Sequence, residues 1–115
     1  MKKSLIWGLL ISILCILPAC VHEHREGPYY VDSHDIVARM DNQQNRINEG
    51  IGSGQLTRHE AGMLQDNLNY IRNEFSRNSV NDRLTQHEYE RLNRLLDRNN
   101  EMIYRDKHNE IRRLY

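Results

Sequence analysis

Apolar residues recur at helical spacing in three stretches of the chain, with polar or glycine-rich segments between them. In the clearest stretch they step by four, three and four residues, at Leu64, Leu68, Ile71 and Phe75. This spacing places them on one face of an α-helix, and Met63 widens that face. The pattern predicts a helix from about Arg58 to Ser76.

A second helix is predicted before the central one, from His34 to Gly50, with Ser33 as its N-cap. Its apolar face consists of Ile36, Val37, Met40 and Ile47. The segment GIGSGQ that follows contains three glycines in five residues, which is typical of a loop.

A third helix is predicted to begin after Thr85, beyond a polar loop around Val80. Its buried side consists of Tyr89, Leu92, Leu95, Leu96, Met102 and Ile103. Asn99 and Asn100 interrupt it in the middle. The predicted fold is therefore all-α: a small three-helix bundle with two similar loop-helix units after a flexible N-terminal tether.

A five-residue motif precedes both later helices: LTRHE begins at Leu56, and LTQHE begins at Leu84, 28 positions later. A threonine followed three residues on by glutamate forms a capping box, in which each side chain accepts from the other residue's backbone N–H. The predicted helix caps are Thr57 with Glu60 and Thr85 with Glu88. The repetition indicates an internal repeat of a loop-helix unit.

The first twenty residues differ from the rest of the chain. Lys2 and Lys3 precede a nearly apolar run to Leu17, which is shorter than the ~20 residues of a membrane-spanning helix and typical of a signal peptide. The run ends in Leu17-Pro18-Ala19-Cys20, which resembles the lipobox of bacterial lipoproteins. The resemblance implies that residues 1–19 are removed as a signal peptide and that Cys20, carrying lipid such as palmitate, becomes the first residue.

Lipidation at Cys20 would divide the chain into a signal peptide, a tether and a helical domain, and would place the protein in the cell envelope. Residues 20–33 would form the lipidated cysteine and a flexible tether, and residues 34–115 the helical domain. The protein would lie in the cell envelope, attached to a membrane by its lipid anchor. Val21, in place of an aspartate after the cysteine, favours the outer membrane facing the periplasm if the cell is diderm.

Two classes of function are disfavoured by composition. Cys15 leaves with the signal peptide and Cys20 carries lipid, so no thiol remains for a disulfide or a thiolate metal site. Removing Lys2 and Lys3 leaves fourteen basic against sixteen acidic residues, which is no charge signature for nucleic acid.

The first repeat unit resembles the second half of an EF-hand calcium loop. With Glu60 at the twelfth loop position, Gly54 takes the glycine position and Leu56 the hydrophobic one. This resemblance implies a calcium site with Glu49, Ser53, Thr57 and Glu60 as candidate ligands. Ile51 at the third position cannot bind a metal. The second unit has Arg77, Ser79, Asn81 and Asp82 at the first, third, fifth and sixth positions, which departs further from the motif.

LTRHE and LTQHE are also similar to the paired LTxxQ motifs of Spy/CpxP-type periplasmic proteins. That resemblance implies a periplasmic chaperone or a stress or metal sensor, built as a helical hairpin with a concave apolar dimer face. Glutamate stands here where that motif has glutamine, and the two residues are interchangeable in a capping box.

Other chemistry in the sequence is sparse. His22, His24 and His34 could hold zinc or copper, although solvated tether residues are the favoured interpretation. No serine, cysteine or carboxylate constellation points to catalysis, so an enzyme is not predicted.

Arginines recur every seven residues on the third helix, at Arg91, Arg98, Arg105 and Arg112. An anionic partner is one interpretation. Intrahelical pairing is favoured, with Glu101 beside Arg105 and Glu90 beside Arg94.

The sequence thus predicts a lipid-anchored, non-enzymatic structural or protein-interaction module. An envelope protein partner or self-association is expected, because a domain of this size buries a modest share of its surface and is marginal alone. The alternatives are the LTxxQ-type chaperone or sensor and a calcium-responsive EF-hand-like protein.

Overall fold

The computed structural model describes residues 29–109. Its elements are β1 (Tyr30–Asp32), α1 (His34–Gly52), α2 (Arg58–Asn78), β2 (Arg83–Thr85) and α3 (Gln86–Lys107). The predicted signal peptide, the predicted lipid-attachment residue Cys20, and His22 and His24 lie outside the described residues, as does the end of the chain from residue 110.

The three helices pack against one another around a single apolar core, which confirms the predicted helical bundle. The fully buried aliphatic side chains come from all three helices and β2: Ile36, Ile47, Leu64, Leu68, Ile71, Leu84, Leu92, Leu96 and Ile103. The predicted stripe of α2 faces this core, with Phe75 partly buried at its end. The helical spacing of apolar residues in the sequence therefore predicts correctly which face of α2 packs into the core.

Within residues 29–109, no helix combines the length and apolar character needed to cross a membrane.

A two-stranded antiparallel sheet joins the start of α1 to the start of α3. In its register Val31 lies opposite Leu84, and Tyr30 lies opposite Thr85. The strands are three residues each, too short for an alternating pattern to be visible in the sequence. The prediction that the tether extends to residue 33 is therefore wrong at this end, because residues 30–32 pair with a strand more than fifty positions away.

The loop before β2 is a tight turn. The backbone N–H and carbonyl of Val80 and Arg83 exchange hydrogen bonds of 2.9 and 3.1 Å. Asn81 and Asp82 between them have φ of 50° and 58°, as in a type I′ hairpin turn. Asn and Asp tolerate this left-handed backbone better than other non-glycine residues.

Ser33 is the N-cap residue of α1, as predicted, but its side chain makes no capping hydrogen bond. Its hydroxyl instead donates to the carbonyl of Asp82, and its N–H donates to the same oxygen at 3.2 Å. Asp32 supplies the local cap, because its carboxylate accepts from the N–H of His34 at 2.9 Å. Ser33 is fully buried and joins the start of α1 to the turn before β2.

Asn99 and Asn100 do not interrupt the third helix, which runs unbroken through both. Asn99 is buried, and its amide Nδ2 donates to Gln43 Oε1 at 2.9 Å. Gln43 in turn donates from Nε2 to the carbonyl of Leu96 at 2.8 Å. A buried polar side chain that is hydrogen-bonded can occupy an apolar stripe.

Candidate functional site

A concave surface of the described residues lies between α2 and α3. This surface, called the α2–α3 groove below, encloses about 380 Å³. It is lined by Met63, Asn67, Tyr70, Ile71, Leu95, Arg98, Asn99 and Met102. Most of its lining is apolar, and it is open to solvent.

Heptad spacing produces the two walls of the α2–α3 groove. Met63 and Tyr70 are seven residues apart on α2, and Leu95 and Met102 are seven residues apart on α3. Residues at this spacing lie on the same face of a helix. Met63 is 47% exposed and Tyr70 is 50% exposed, so these two side chains remain available for contact.

Asn99 contributes a polar atom to the floor of the α2–α3 groove. The residue is 2% exposed, and its Nδ2 is bonded to Gln43. Its Oδ1 is buried and has no hydrogen-bond partner among residues 29–109. Leaving a buried acceptor unpaired is unfavourable, so this atom is a local cost in the packing of α3.

The apolar pattern of the sequence does not predict this groove, and it assigns Met63 to the apolar face of α2. The sequence does indicate that Asn99 is buried. It lies three residues after Leu96 and four before Ile103, within the apolar stripe of α3. A polar residue at a core position often marks a specific hydrogen bond.

Two of the heptad-spaced arginines, Arg91 and Arg105, lie beside carboxylates of the same chain. Arg91 pairs with the carboxylate of Glu74 on α2, which is 9% exposed. This hydrogen bond raises the pKa of Arg91, so the guanidinium stays charged. Arg105 lies 3.5 Å from Asp106, and Arg112 falls outside the described residues.

The predicted intrahelical pairs of α3 are wrong. Among the ion pairs of residues 29–109, neither Glu101 with Arg105 nor Glu90 with Arg94 occurs. Glu90 instead accepts from Gln86 Nε2 at 2.7 Å. Exposed i, i+4 pairs are weak, so other solvent-exposed partners compete with them.

Both capping boxes form as the sequence predicts. The N–H of Glu60 donates to Thr57 Oγ1 at 3.2 Å, and the N–H of Thr57 donates to Glu60 Oε2 at 3.0 Å. The same two bonds join Thr85 and Glu88, at 3.3 and 3.2 Å. These contacts fix the starts of α2 and α3.

A five-residue stretch with a similar order of residue types precedes α1. VDSHD, beginning at Val31, has an aliphatic residue, a capping side chain, a histidine and an acid in the same order as LTRHE and LTQHE. Val31 and Leu84 occupy the same motif position and lie opposite each other in the sheet. The spacing of His34 and Asp35 after the aliphatic residue was the signal available in the sequence.

The candidate calcium ligands of the first loop are engaged in other contacts. Glu49 lies 3.9 Å from the ammonium of Lys107, and Ser53 Oγ lies 3.2 Å from Gln55 Oε1. Thr57 and Glu60 form the capping box described above. Within residues 29–109, no three His, Asp or Glu side chains lie close enough to share a metal ion.

His34 is the one histidine of the predicted zinc or copper set that the structure describes. Its Nε2 lies 3.8 Å from Asp32 Oδ1, and its side chain is largely exposed. The structure therefore locates His34 beside a carboxylate at the start of α1. The zinc or copper site stays a prediction.

No protein-family model, curated protein or solved structure matches this chain.

Proposed function

We propose that this protein is a lipid-anchored cell-envelope protein whose helical domain is a non-enzymatic interaction module. The lipobox ending in Cys20 supports the anchor, because several acyl chains on one cysteine hold a protein stably at a membrane. The tether and β1 would then present the bundle close to the bilayer surface.

The α2–α3 groove is the observation that supports the interaction role. Met63 and Tyr70 offer exposed apolar surface on one wall, and Met102 lies partly buried on the other. Methionine side chains adapt to differently shaped partners, and tyrosine combines an apolar ring with a hydroxyl. The partner would be an apolar segment of another envelope protein or of a second copy.

Photo-crosslinking in intact membranes tests this role. A photoreactive residue at Met63 should form a discrete crosslinked product in the membrane fraction. The matched control is Ile51, which is 54% exposed but lies on α1 outside the α2–α3 groove. Adding Met102→Lys to the Met63 variant should remove the product, because a charge then lies in the groove.

The result that contradicts the proposal is the same product from both positions, or a Met63 product that persists with Met102→Lys. A product containing two copies of the chain would identify the partner as the protein itself.

A calcium-responsive role is the second candidate, favoured by the backbone of both loops. Gly54 and Asp82 occupy the sixth positions of the two EF-hand-like loops, and both have positive φ, at 71° and 58°. The EF-hand uses glycine there for a sharp turn. Calcium binding should then produce heat in a calorimeter, and Glu60→Gln should reduce that heat because a carboxylate ligand is lost. Gln preserves the capping box, so the helix start should stay intact. Absence of heat removes this candidate.

A further inference from the structure

All three helices have one end at the small sheet formed by β1 and β2. Helix α1 begins after the single residue that follows β1, and α3 begins directly after β2. Helix α2 ends at Asn78, just before Val80, which forms a bridge with Arg83 of β2. The sheet therefore lies at one end of the bundle, and the other ends of the helices lie opposite it.

One face of this sheet points away from the core. Leu84 at the centre of β2 is fully buried, and its partner Val31 points the same way. Successive side chains of a strand alternate between faces, so the residues on either side of these two point outwards. Val80 is paired with Arg83, lies on the same face and is 59% exposed. The residues of this surface, called the outer sheet face below, are Tyr30, Asp32, Val80, Arg83 and Thr85.

The outer sheet face presents apolar and aromatic surface to the outside. Tyr30 and Val80 are both exposed, and Tyr29, directly before β1, is 76% exposed. A tyrosine ring combines an apolar body with a hydroxyl, and tyrosine is enriched where proteins meet the headgroup region of a bilayer. The composition of this face therefore fits contact with lipid headgroups.

The charged groups around this face fit a zwitterionic headgroup surface. Arg83 Nη2 donates to the carbonyl of Tyr30 at 3.1 Å, and none of the ion pairs within residues 29–109 involves Arg83. The other N–H groups of its guanidinium can donate to a lipid phosphate. Asp32 accepts from the N–H of His34 at 2.9 Å, and the exposed Asp82 offers a carboxylate to a headgroup ammonium.

The proposed lipid anchor lies closer in sequence to this end of the bundle than to the other. Tyr29 follows Cys20 by nine positions, so their backbones cannot be more than about 30 Å apart. Helix α1 extends for about 25 Å between His34 and Ile51. If the end near Ile51 touched the bilayer, Tyr29 would lie close to the limit that nine positions allow. Contact through the sheet end does not approach that limit.

We propose that the outer sheet face lies on the surface of a zwitterionic phospholipid bilayer. Tyr30 and Val80 are at the level of the headgroups, and Arg83 donates to a lipid phosphate. This inference rests on the proposed lipid anchor at Cys20, and it adds the orientation of the bundle, with the sheet end on the membrane and the helices extending away from it.

This orientation leaves the α2–α3 groove accessible from the side of the membrane on which the domain lies. Met63 is near the start of α2, and Met102 is near the end of α3. Both ends lie opposite the sheet, so the groove is in the half of the bundle farther from the bilayer. A partner could then bind in the groove without displacing the outer sheet face from the lipid.

NMR of the wild-type protein in lipid nanodiscs tests the inference. The full chain is expressed, and the protein purified from membranes is placed in discs of phosphatidylcholine and phosphatidylethanolamine that contain a lipid with a gadolinium chelate on its headgroup. The backbone amide signals of Tyr30, Val80 and Arg83 should lose intensity, whereas the signal of Ile51, exposed at the opposite end, should retain it. No loss at the sheet, or an equal loss at Ile51, would overturn the inference.

Variants separate contact through these side chains from attachment through the lipid. Tyr30→Ser combined with Val80→Asp should reduce the loss of intensity at Arg83, because a charge placed against the lipid is unfavourable. The matched control, Ile51→Asp, should leave that loss unchanged. The signal of the buried Leu68 reports whether each variant is folded. A folded double variant with the same loss as the wild type would contradict the inference.

The outcomes distinguish this inference from the proposed function. Protein without lipid at Cys20 would overturn the proposed anchor and the inference together. Lipidated protein whose outer sheet face is unaffected by the gadolinium lipid would overturn the inference alone. Sheet signals that change with the number of copies per disc, without the gadolinium lipid, would show a second copy on this face, and the inference would then be wrong.

Discussion

At the scale of single residues, threonine side chains fix where two helices begin. Thr57 and Thr85 each accept from the N–H three residues on, and each has its own N–H bonded to a glutamate. The first N–H groups of a helix have no intrahelical partner, so these bonds satisfy donors that would otherwise need water. The repeated pentapeptide is therefore explained by helix initiation.

Removing either hydroxyl should destabilise the domain. Thr57→Ala and Thr85→Ala should each lower the free energy of unfolding by about 1 kcal/mol, because the cap is lost. Denaturant unfolding measures the difference. Thr57→Ser and Thr85→Ser are the matched controls and should retain most of the stability. Alanine variants as stable as the serine variants would contradict the role of the caps.

At position 82, glycine should give a more stable domain than a β-branched residue. Its φ of 58° is a conformation that glycine adopts freely and β-branched residues adopt poorly. Asp82→Gly should unfold at higher denaturant concentration than Asp82→Val, with a difference of about 1–2 kcal/mol.

The control for this turn is Asp41, which is exposed within α1. There the glycine variant should be less stable than the valine variant, because a helix interior penalises glycine. If the glycine and valine variants ranked in the same order of stability at both positions, the positive φ of Asp82 would not explain the difference there.

Residue-scale contacts were predictable only where both partners are close in sequence. Thr57 and Glu60 are three positions apart, so the motif itself predicts the bond. Ser33 has its partner at Asp82, 49 positions away, and nothing local indicates that contact. The sequence therefore predicts the N-cap position of Ser33 correctly, but not the partner of its side chain.

At the scale of elements, the junction of α1 and α2 depends on a close approach of backbone and side chain. The N–H of Leu56 donates to the carbonyl of Gly50 at 3.0 Å, and Leu56 is buried. A Cβ added at Gly50 would lie 2.6 Å from both Cγ and Cδ1 of Leu56. Glycine at this position allows the chain to turn back onto α1.

Two glycine-to-alanine substitutions should have opposite effects. Gly50→Ala should destabilise the domain by about 1–3 kcal/mol, because the new methyl overpacks against Leu56. Gly62→Ala should stabilise it by about 1 kcal/mol, because α2 gains helix propensity and the added methyl meets nothing within 4 Å. Thermal and denaturant unfolding of both variants measure the contrast. Two changes of the same sign would contradict this account of the junction.

The helices could be predicted and the strands could not. A helix of about twenty residues repeats its apolar spacing several times, whereas each strand has three residues. The α2–α3 groove was also beyond prediction, because its walls come from residues such as Met63 and Met102 that are adjacent only after packing. Its floor depends on the bond between Asn99 and Gln43 across two helices.

At the scale of the whole molecule, the proposed lipid anchor would hold the helical bundle close to a membrane. Tyr29, the first described residue, lies nine positions after Cys20, and this stretch could span at most about 30 Å. The α2–α3 groove would therefore act near the membrane surface. This arrangement depends on lipid at Cys20, from which the location of the protein follows.

The most direct test is intact-mass spectrometry of the protein purified from membranes. The mature protein should begin at Cys20 and carry acyl chains, and Cys15→Ser should give the same mature mass. Cys20→Ser should abolish both the acylated form and membrane attachment. A mature protein in which Cys20 is unmodified, or is not the first residue, would contradict attachment to the membrane through lipid at Cys20.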